Sequence, residues 1–325
     1  MYLIKETPED FIVEEIPKLE FNEKGEYCYF LLEKKNRNTA DVIREIAGKL
    51  KFRERNFNAA GNKDKLAITK QYVSGFRVKR QRLESLKIAN VKLTFVGYGD
   101  SRLRLGQLIG NKFIVTVRGL EKEGKRVKFT ENYFDEQRFS GRNALLGKAL
   151  VKKEFRKFCF MLRLKWKEGD YVNAIRTISK KRLIFYVNAY QSWLWNRAIA
   201  EYLTGKLKHS WRVDYSMGEF VFSAEKLDNK DVPIIGYKEI EGEFKEIYDR
   251  LLEEEKLKQS DFLIKELPEL ISEGTTRKLY ADVKELNVSY KDDERHRGKR
   301  KATASFILGS GSYATIVVKK MFGNK

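Results

Sequence analysis

Strand-like alternation at both ends of this chain, separated by a long stretch of helical period, is what most limits its fold. Near the start, Pro8 and Asp10 supply a turn, and Phe11, Val13 and the alternation into Glu14 and Glu15 read as a strand. Tyr27 to Leu32 gives a second strand, and Asn38-Thr39 caps a helix whose Val42, Ile43, Ile46, Ala47 and Leu50 share one face. Phe113, Val115 and Val117 alternate as a half-buried strand does. From about Arg142 the character changes. Lys152 to Trp166 is basic, aromatic and helical in period, Tyr171 to Ile178 continues as a second helix, and Asn188 to Asn196 opens another. An acidic, Lys-rich helical stretch follows from Glu239 to Leu257. Asp292 to Lys301 reads as a charged, mobile loop, after which Ala304 to Val318 returns to strand, turn and then helix or strand. The expected organisation is a mixed α/β domain formed by residues 1–141 and 286–325, with 142–285 inserted into it.

Charge narrows the class of partner. The chain carries Lys+Arg 66 against Asp+Glu 46, a net charge of +20, with 42% hydrophobic and 13% aromatic residues among 325. It can therefore bury a core, and its excess of cations is the footprint of a polyanion binder. Nucleic acid is the first candidate. An anionic membrane surface is second, but no amphipathic basic anchor or lipidation signal supports it. Cys28, Cys159, His209 and His296 are scattered, with no metal-ligand spacing, so neither a soft-metal site nor Ser-His or Cys-His catalysis has residues to draw on. Any chemistry falls to carboxylates, amines, phenols or amides. Met1 to Glu6 has no apolar signal core and no run reaches membrane-spanning length, so a cytoplasmic protein is expected. Scarce Gln beside abundant Lys and Glu leans towards a thermophilic source.

Two local patterns bear on chemistry. Gly61-Asn62-Lys63-Asp64-Lys65 is a turn-forming cluster between an apolar run at Phe57-Ala60 and a strand-like run at Leu66-Ser74. Asp64 stands between two lysines, which favour its ionised form, and a carboxylate can serve as nucleophile or base. Taken alone, the pentapeptide is better explained as a plain surface turn, since turn Asp residues greatly outnumber catalytic ones; guanine-nucleotide motifs do not explain it, since the NKxD acid and the G-x-x-x-x-G-K-[ST] loop are both missing. Further on, Gly110-Asn111 is read as a turn entering the Phe113 strand, which points Asn111 and Phe113 to one side. An amide and a ring so placed suit a flat heterocycle, although a turn Asn with a core Phe is the simpler explanation. Arg77 to Lys87 is strongly basic and could face solvent or phosphate.

These patterns gain weight together. Gly61, Lys63, Asp64, Lys65, Ala67, Thr69 and Gln71 fill G-x-K-D-[KR]-x-A-x-T-x-Q, and the block resembles the signature of the TruD family of pseudouridine synthases. The opening P-E-D-F-x-V, the run from Gly106 to Ile114 (G-x-L-x-G-N-x-F-x-[IV]), Asn132 to Gly141, Asn188 to Asn196 and Phe306 to Val318 resemble further family blocks in the same order. Departures are Asp135 for Gly, Ser140 before Gly141, Gln191 for Arg, Trp195 for Phe and Gly309 for Pro, and the insertion is shorter than usual.

The resemblance implies a catalytic domain with a central, mostly antiparallel mixed sheet, interrupted by a largely helical RNA-binding insertion. It implies conversion of uridine to pseudouridine in tRNA, usually at position 13, with additional sites in some archaeal and eukaryotic relatives. No cofactor, metal, membrane or obligate protein partner is implied. By the same carry-over, Asp64 is the nucleophile and Lys5 its partner; Phe113 stacks on the flipped base, Asn111 hydrogen-bonds near it, and Phe11 and Tyr313 wall the pocket. The alternatives are a non-catalytic RNA-binding protein or chaperone, and a metal-dependent nuclease, for which no tight acidic cluster is present in these blocks.

Overall fold

The computed structural model describes residues 2–61, 63–104 and 106–323. Asn62, inside the first block, and Leu105, just before the second, lie outside the described residues.

In chain order the first part holds β1 (Leu3–Ile4), β2 (Phe11–Pro17), β3 (Tyr27–Lys35), α1 (Thr39–Leu50), β4 (Phe57–Ala59), β5 (Ile68–Phe76), α2 (Arg80–Glu84), β6 (Val91–Gly99) and β7 (Leu108–Leu120). The middle holds β8 (Phe129–Glu131), α3 (Glu136–Phe139), α4 (Asn143–Val151), α5 (Phe155–Met161), α6 (Tyr171–Arg176), α7 (Lys180–Lys206), the hairpin β9 (Trp211–Tyr215) and β10 (Gly218–Phe222), β11 (Asp231–Ile234), α8 (Lys245–Glu254), β12 (Thr275–Lys278) and β13 (Tyr280–Asp282). The chain closes with β14 (Lys284–Asp292), β15 (Arg300–Gly309) and α9 (Ala314–Phe322). No helix among the described residues is long and apolar enough to cross a membrane.

Two compact units result, Met1–Lys128 with Asp282–Ala314, and Phe129–Ala281 with Thr315–Lys325. Their borders fall at 128/129, 281/282 and 314/315, and the short β8 pairs with β13. The second unit is built on α7, whose Tyr190, Leu194, Trp195 and Ile199 are buried. The aromatic stripe beginning at Asn188 is therefore core packing, and the helix carrying it starts at Lys180. Gln191 sits inside the same core, donating to the Ile235 carbonyl at 2.5 Å and to Ser272 at 3.1 Å. Asp135 adopts φ −100°, ψ 174°, an extended conformation open to any residue, and it pairs with Lys319 at 3.2 Å.

The first unit is a nine-stranded mixed sheet ordered β14-β15-β7-β2-β5-β3-β6, with β1 added to β7 and β4 to β5; only β2 and β5 run parallel. Gly110-Asn111 belongs to β7 and is not a turn. Glycine is required there because a Cβ at Gly110 would fall 2.1 Å from the Leu308 carbonyl oxygen of β15. Asn111 and Phe113 still share a face, since they stand two apart in a strand.

The charged stretch after Asp292 is not loose either. It is the tip of the β14-β15 hairpin, and Arg118 pins it. The buried guanidinium reaches Asp10 at 2.8 Å, Asp293 at 2.9 Å and Glu294 at 2.9 Å. Burial alone would raise the Asp293 carboxyl, but N–H groups of Gly119 and Arg295 and the Arg118 charge outweigh it and hold it below its usual range. Removing one member of a buried charge cluster leaves the others uncompensated. Arg118→Leu is therefore expected to lower stability by about 3–5 kcal/mol in urea unfolding, and a loss under about 1 kcal/mol, the level of an exposed pair, would show that the cluster does not hold the hairpin.

Candidate active site

Lys5 reaches its position through an excursion from the sheet edge. Ile4 pairs with Val117 and Phe11 with Val115, so Lys5 to Asp10 leave the sheet between two nearby partners on β7. Lys5 itself takes φ 58°, a left-handed conformation that is uncommon for a residue with a side chain. Asp10 closes the excursion by accepting from the Thr7 N–H at 3.0 Å and pairing with Arg118. The Lys5 ammonium then lies 4.1 Å from the centre of the Phe11 ring and 2.5 Å from Asp64 Oδ2.

The Asp64 loop is held from several elements at once. The Gly61 carbonyl accepts from Gln71 Nε2 at 3.3 Å, and Gln71 Oε1 accepts from the Thr39 hydroxyl at 2.8 Å. The Lys63 N–H donates to that hydroxyl at 3.3 Å, and the Asp64 carbonyl accepts from Lys34 Nζ at 3.0 Å. Two strands and a helix start thus fix the backbone, while Lys5 fixes the carboxylate. The side chains of Lys5 and Asp64 remain 23% and 17% exposed, so a ligand can reach them.

A second network lies beside the first. Lys63 Nζ donates to Asn111 Oδ1 at 2.7 Å and pairs with the buried Glu15 carboxylate at 2.9 Å. Glu15 also accepts from the Tyr72 N–H at 2.7 Å. Strand register explains the meeting, because Asn111 lies directly opposite both Glu15 and Leu308. On the same face Phe113, only 7% exposed, has Phe306 roughly parallel at 5.8 Å and the edge-on ring of Phe11 at 6.2 Å.

Lys5, Phe11, Asp64, Asn111 and Phe113 are thereby brought into one connected cluster. Tyr313 stands half-buried in the loop between β15 and α9, after the Gly309 that pairs with Gly110. Sequence reasoning passed over Glu15, Lys34, Thr39, Gln71 and Phe306 as members of this cluster. The signal was present in the alternation: Phe11, Val13, Glu15 and Phe30, Leu32, Lys34 place charges at inward positions, where an ionised group needs a partner.

The arrangement is an oriented carboxylate among the ammonium groups of Lys5, Lys34 and Lys63, next to an amide and an aromatic wall. The family described as tRNA pseudouridine synthase D (TruD) matches residues 2–163, 159–232 and 230–321. The chain belongs to the TruD family. It is an isomerase of that class. The tRNA pseudouridine synthase D of Aquifex aeolicus is 30% identical, with 98% of this chain and 97% of that protein covered. A Methanocaldococcus jannaschii relative is 31% identical, over 98% of this chain and 91% of its own length. The Aquifex alignment spans 384 positions against 325 residues here, so that TruD relative carries segments this chain lacks. A crystal structure from Methanosarcina mazei bearing the same family description superposes with a TM-score of 0.72 at 23% identity, covering 99% of this chain and 93% of its own, which fixes the fold.

Lys34 gives the site a measurable titration. It is 1% exposed, and burial pulls its ammonium down to about 8; the Asp64 charge opposes this and Lys63 adds to it. An unfolded lysine releases its proton near pH ~10.4. Between pH ~8 and ~10.4 the unfolded chain therefore binds more protons than the folded one, and this group makes stability rise with pH. Unfolding free energies of wild type and Lys34→Met should diverge across that window in favour of wild type as pH rises. A difference that stays flat over it would count against a buried, charged Lys34.

Proposed function

We propose that this protein converts uridine to pseudouridine in tRNA, at position 13, with Asp64 as the nucleophile. The supporting observation is the Asp64 carboxylate held 2.5 Å from Lys5 on a loop whose backbone is clamped by Gln71, Thr39 and Lys34. A nucleophile must be ionised, aimed and reachable, and this one is flanked by ammonium groups and partly open to solvent.

The target uridine leaves the stack to expose its glycosidic bond, at a cost of a few kcal/mol. Asp64 attacks the ribose C1′ or the uracil C6, and the bond between N1 and C1′ breaks. The base turns within the site and C5 bonds to C1′, displacing the Asp64 carboxylate where it had attacked C1′; C5 then loses its proton, which expels the carboxylate from C6 where it had added there, and N1 takes a proton up. No electrons are gained or lost, so the chemistry calls for no redox partner. Lys5 holds the Asp64 carboxylate in orientation, Asn111 binds the base edge, and Phe11, Phe113 and Tyr313 supply aromatic walls. The second unit serves as the RNA-binding part, and the +20 charge draws the tRNA backbone to the protein in its cytoplasmic setting.

Transcript tRNA tritiated at uracil C5 tests the assignment. Wild type should release tritium, and Asp64→Asn should release it on the order of 10³-fold more slowly or not at all. Release by the variant at the wild-type rate would remove Asp64 from the mechanism.

A further inference from the structure

We propose that Glu15 and Lys63 are positioning residues that lock the Asn111 amide with its NH2 towards the base, so that the site reads a carbonyl oxygen of uracil. The inference rests on the reading of this site as a uridine isomerase. An ammonium has donors and no acceptor, so only the oxygen of Asn111 can face Lys63 at 2.7 Å. The orientation of the amide is therefore decided by chemistry, independently of how its oxygen and nitrogen are told apart. Lys63 in turn is tied by Glu15, whose carboxylate is fully enclosed, 2.9 Å from Nζ and anchored by the Tyr72 N–H. Asn111 sits across the sheet from Glu15, so strand pairing itself sets the distance among these groups.

Two consequences follow. The Asn111 nitrogen has no acceptor among the described residues, and the side chain is only half-buried. It is a donor with its partner still to come. An NH2 group complements a carbonyl oxygen, which uracil offers at C2 and C4; it does not complement the amino group that cytosine carries at C4. Had the amide been turned the other way, it would present an acceptor and favour the N3–H of uracil instead. The Glu15-Lys63 pair thus makes the choice between the two edges. A site built to hydrogen-bond a particular group rejects analogues that lack it.

The test uses full-length protein and tRNA assembled with 5-tritiated uridine, 2-thiouridine or 4-thiouridine at the target position, sulfur being a poor acceptor. Wild type should turn over the uridine substrate and lose roughly 10- to 100-fold in kcat/KM on one of the two thio substrates. Lys63→Met should act more slowly on uridine and show that thio penalty reduced to within about 3-fold; Lys63→Arg, again donor-only, should keep it. Where Lys63→Met does not fold, Lys63→Gln is read in its place, because an amide imposes no single orientation on its neighbour. A full thio penalty retained in Lys63→Met, or in Lys63→Gln where that is read in its place, or no penalty for either analogue in wild type, overturns the proposal. Failure of wild type to release tritium from the uridine substrate would instead overturn the isomerase reading beneath it.

Discussion

The ammonium of Lys5 and the carboxylate of Asp64 stand 2.5 Å apart although they are 59 positions apart in the chain. Both remain partly exposed, and a pair of that kind contributes little to stability by itself. The pair therefore does not hold the fold together. The fold holds the pair. On one side the excursion between β1 and β2, closed by Asp10 and Arg118, delivers Lys5 over the Phe11 ring. On the other, Lys34, Thr39 and Gln71 hold the backbone of the Asp64 loop.

One sheet face carries both halves of this arrangement. Over β3 and β5 it is apolar, and Phe30, Leu32 and Val73 pack beneath Val42, Ile46 and Leu50 of α1. Where α1 begins, at Thr39, the same face turns polar, with Gln71 and Lys34 inward and Glu15 one strand away. Burying such groups is unfavourable unless each finds a partner, and here the partners are the loop that carries Asp64, the Thr39 hydroxyl and the Tyr72 N–H. The energetic demand of the inward polar groups and the geometric demand of the site are met by the same contacts.

Much of this was legible before any coordinates. The Gly61 to Gln71 block located the loop, and the alternation at Phe11 and Phe113 located the strands that meet across the site. Other features escaped for identifiable reasons. Gly110-Asn111 has the composition of a turn, but its glycine serves the close approach of β15, which is a tertiary constraint. The charged run after Asp292 looks solvated until Arg118, far away in sequence, is seen to pin it. Glu15 and Lys34 stand on inward strand positions, yet their partners lie on other elements and only the folded register reveals them. The aromatic stripe around Trp195, by contrast, reads as core packing from the sequence, and the burial of Trp195 and Gln191 agrees.

The most direct test of the central claim is a crystal structure of the Asp64→Asn protein bound to its tRNA. The account expects a uridine turned out of the stack, with C1′ or C6 about 3–3.5 Å from the residue 64 side chain, the separation of a near-attack geometry, and Lys5 still beside that side chain. A bound tRNA whose extruded uridine lies away from residue 64, or that leaves every uridine stacked, would contradict it.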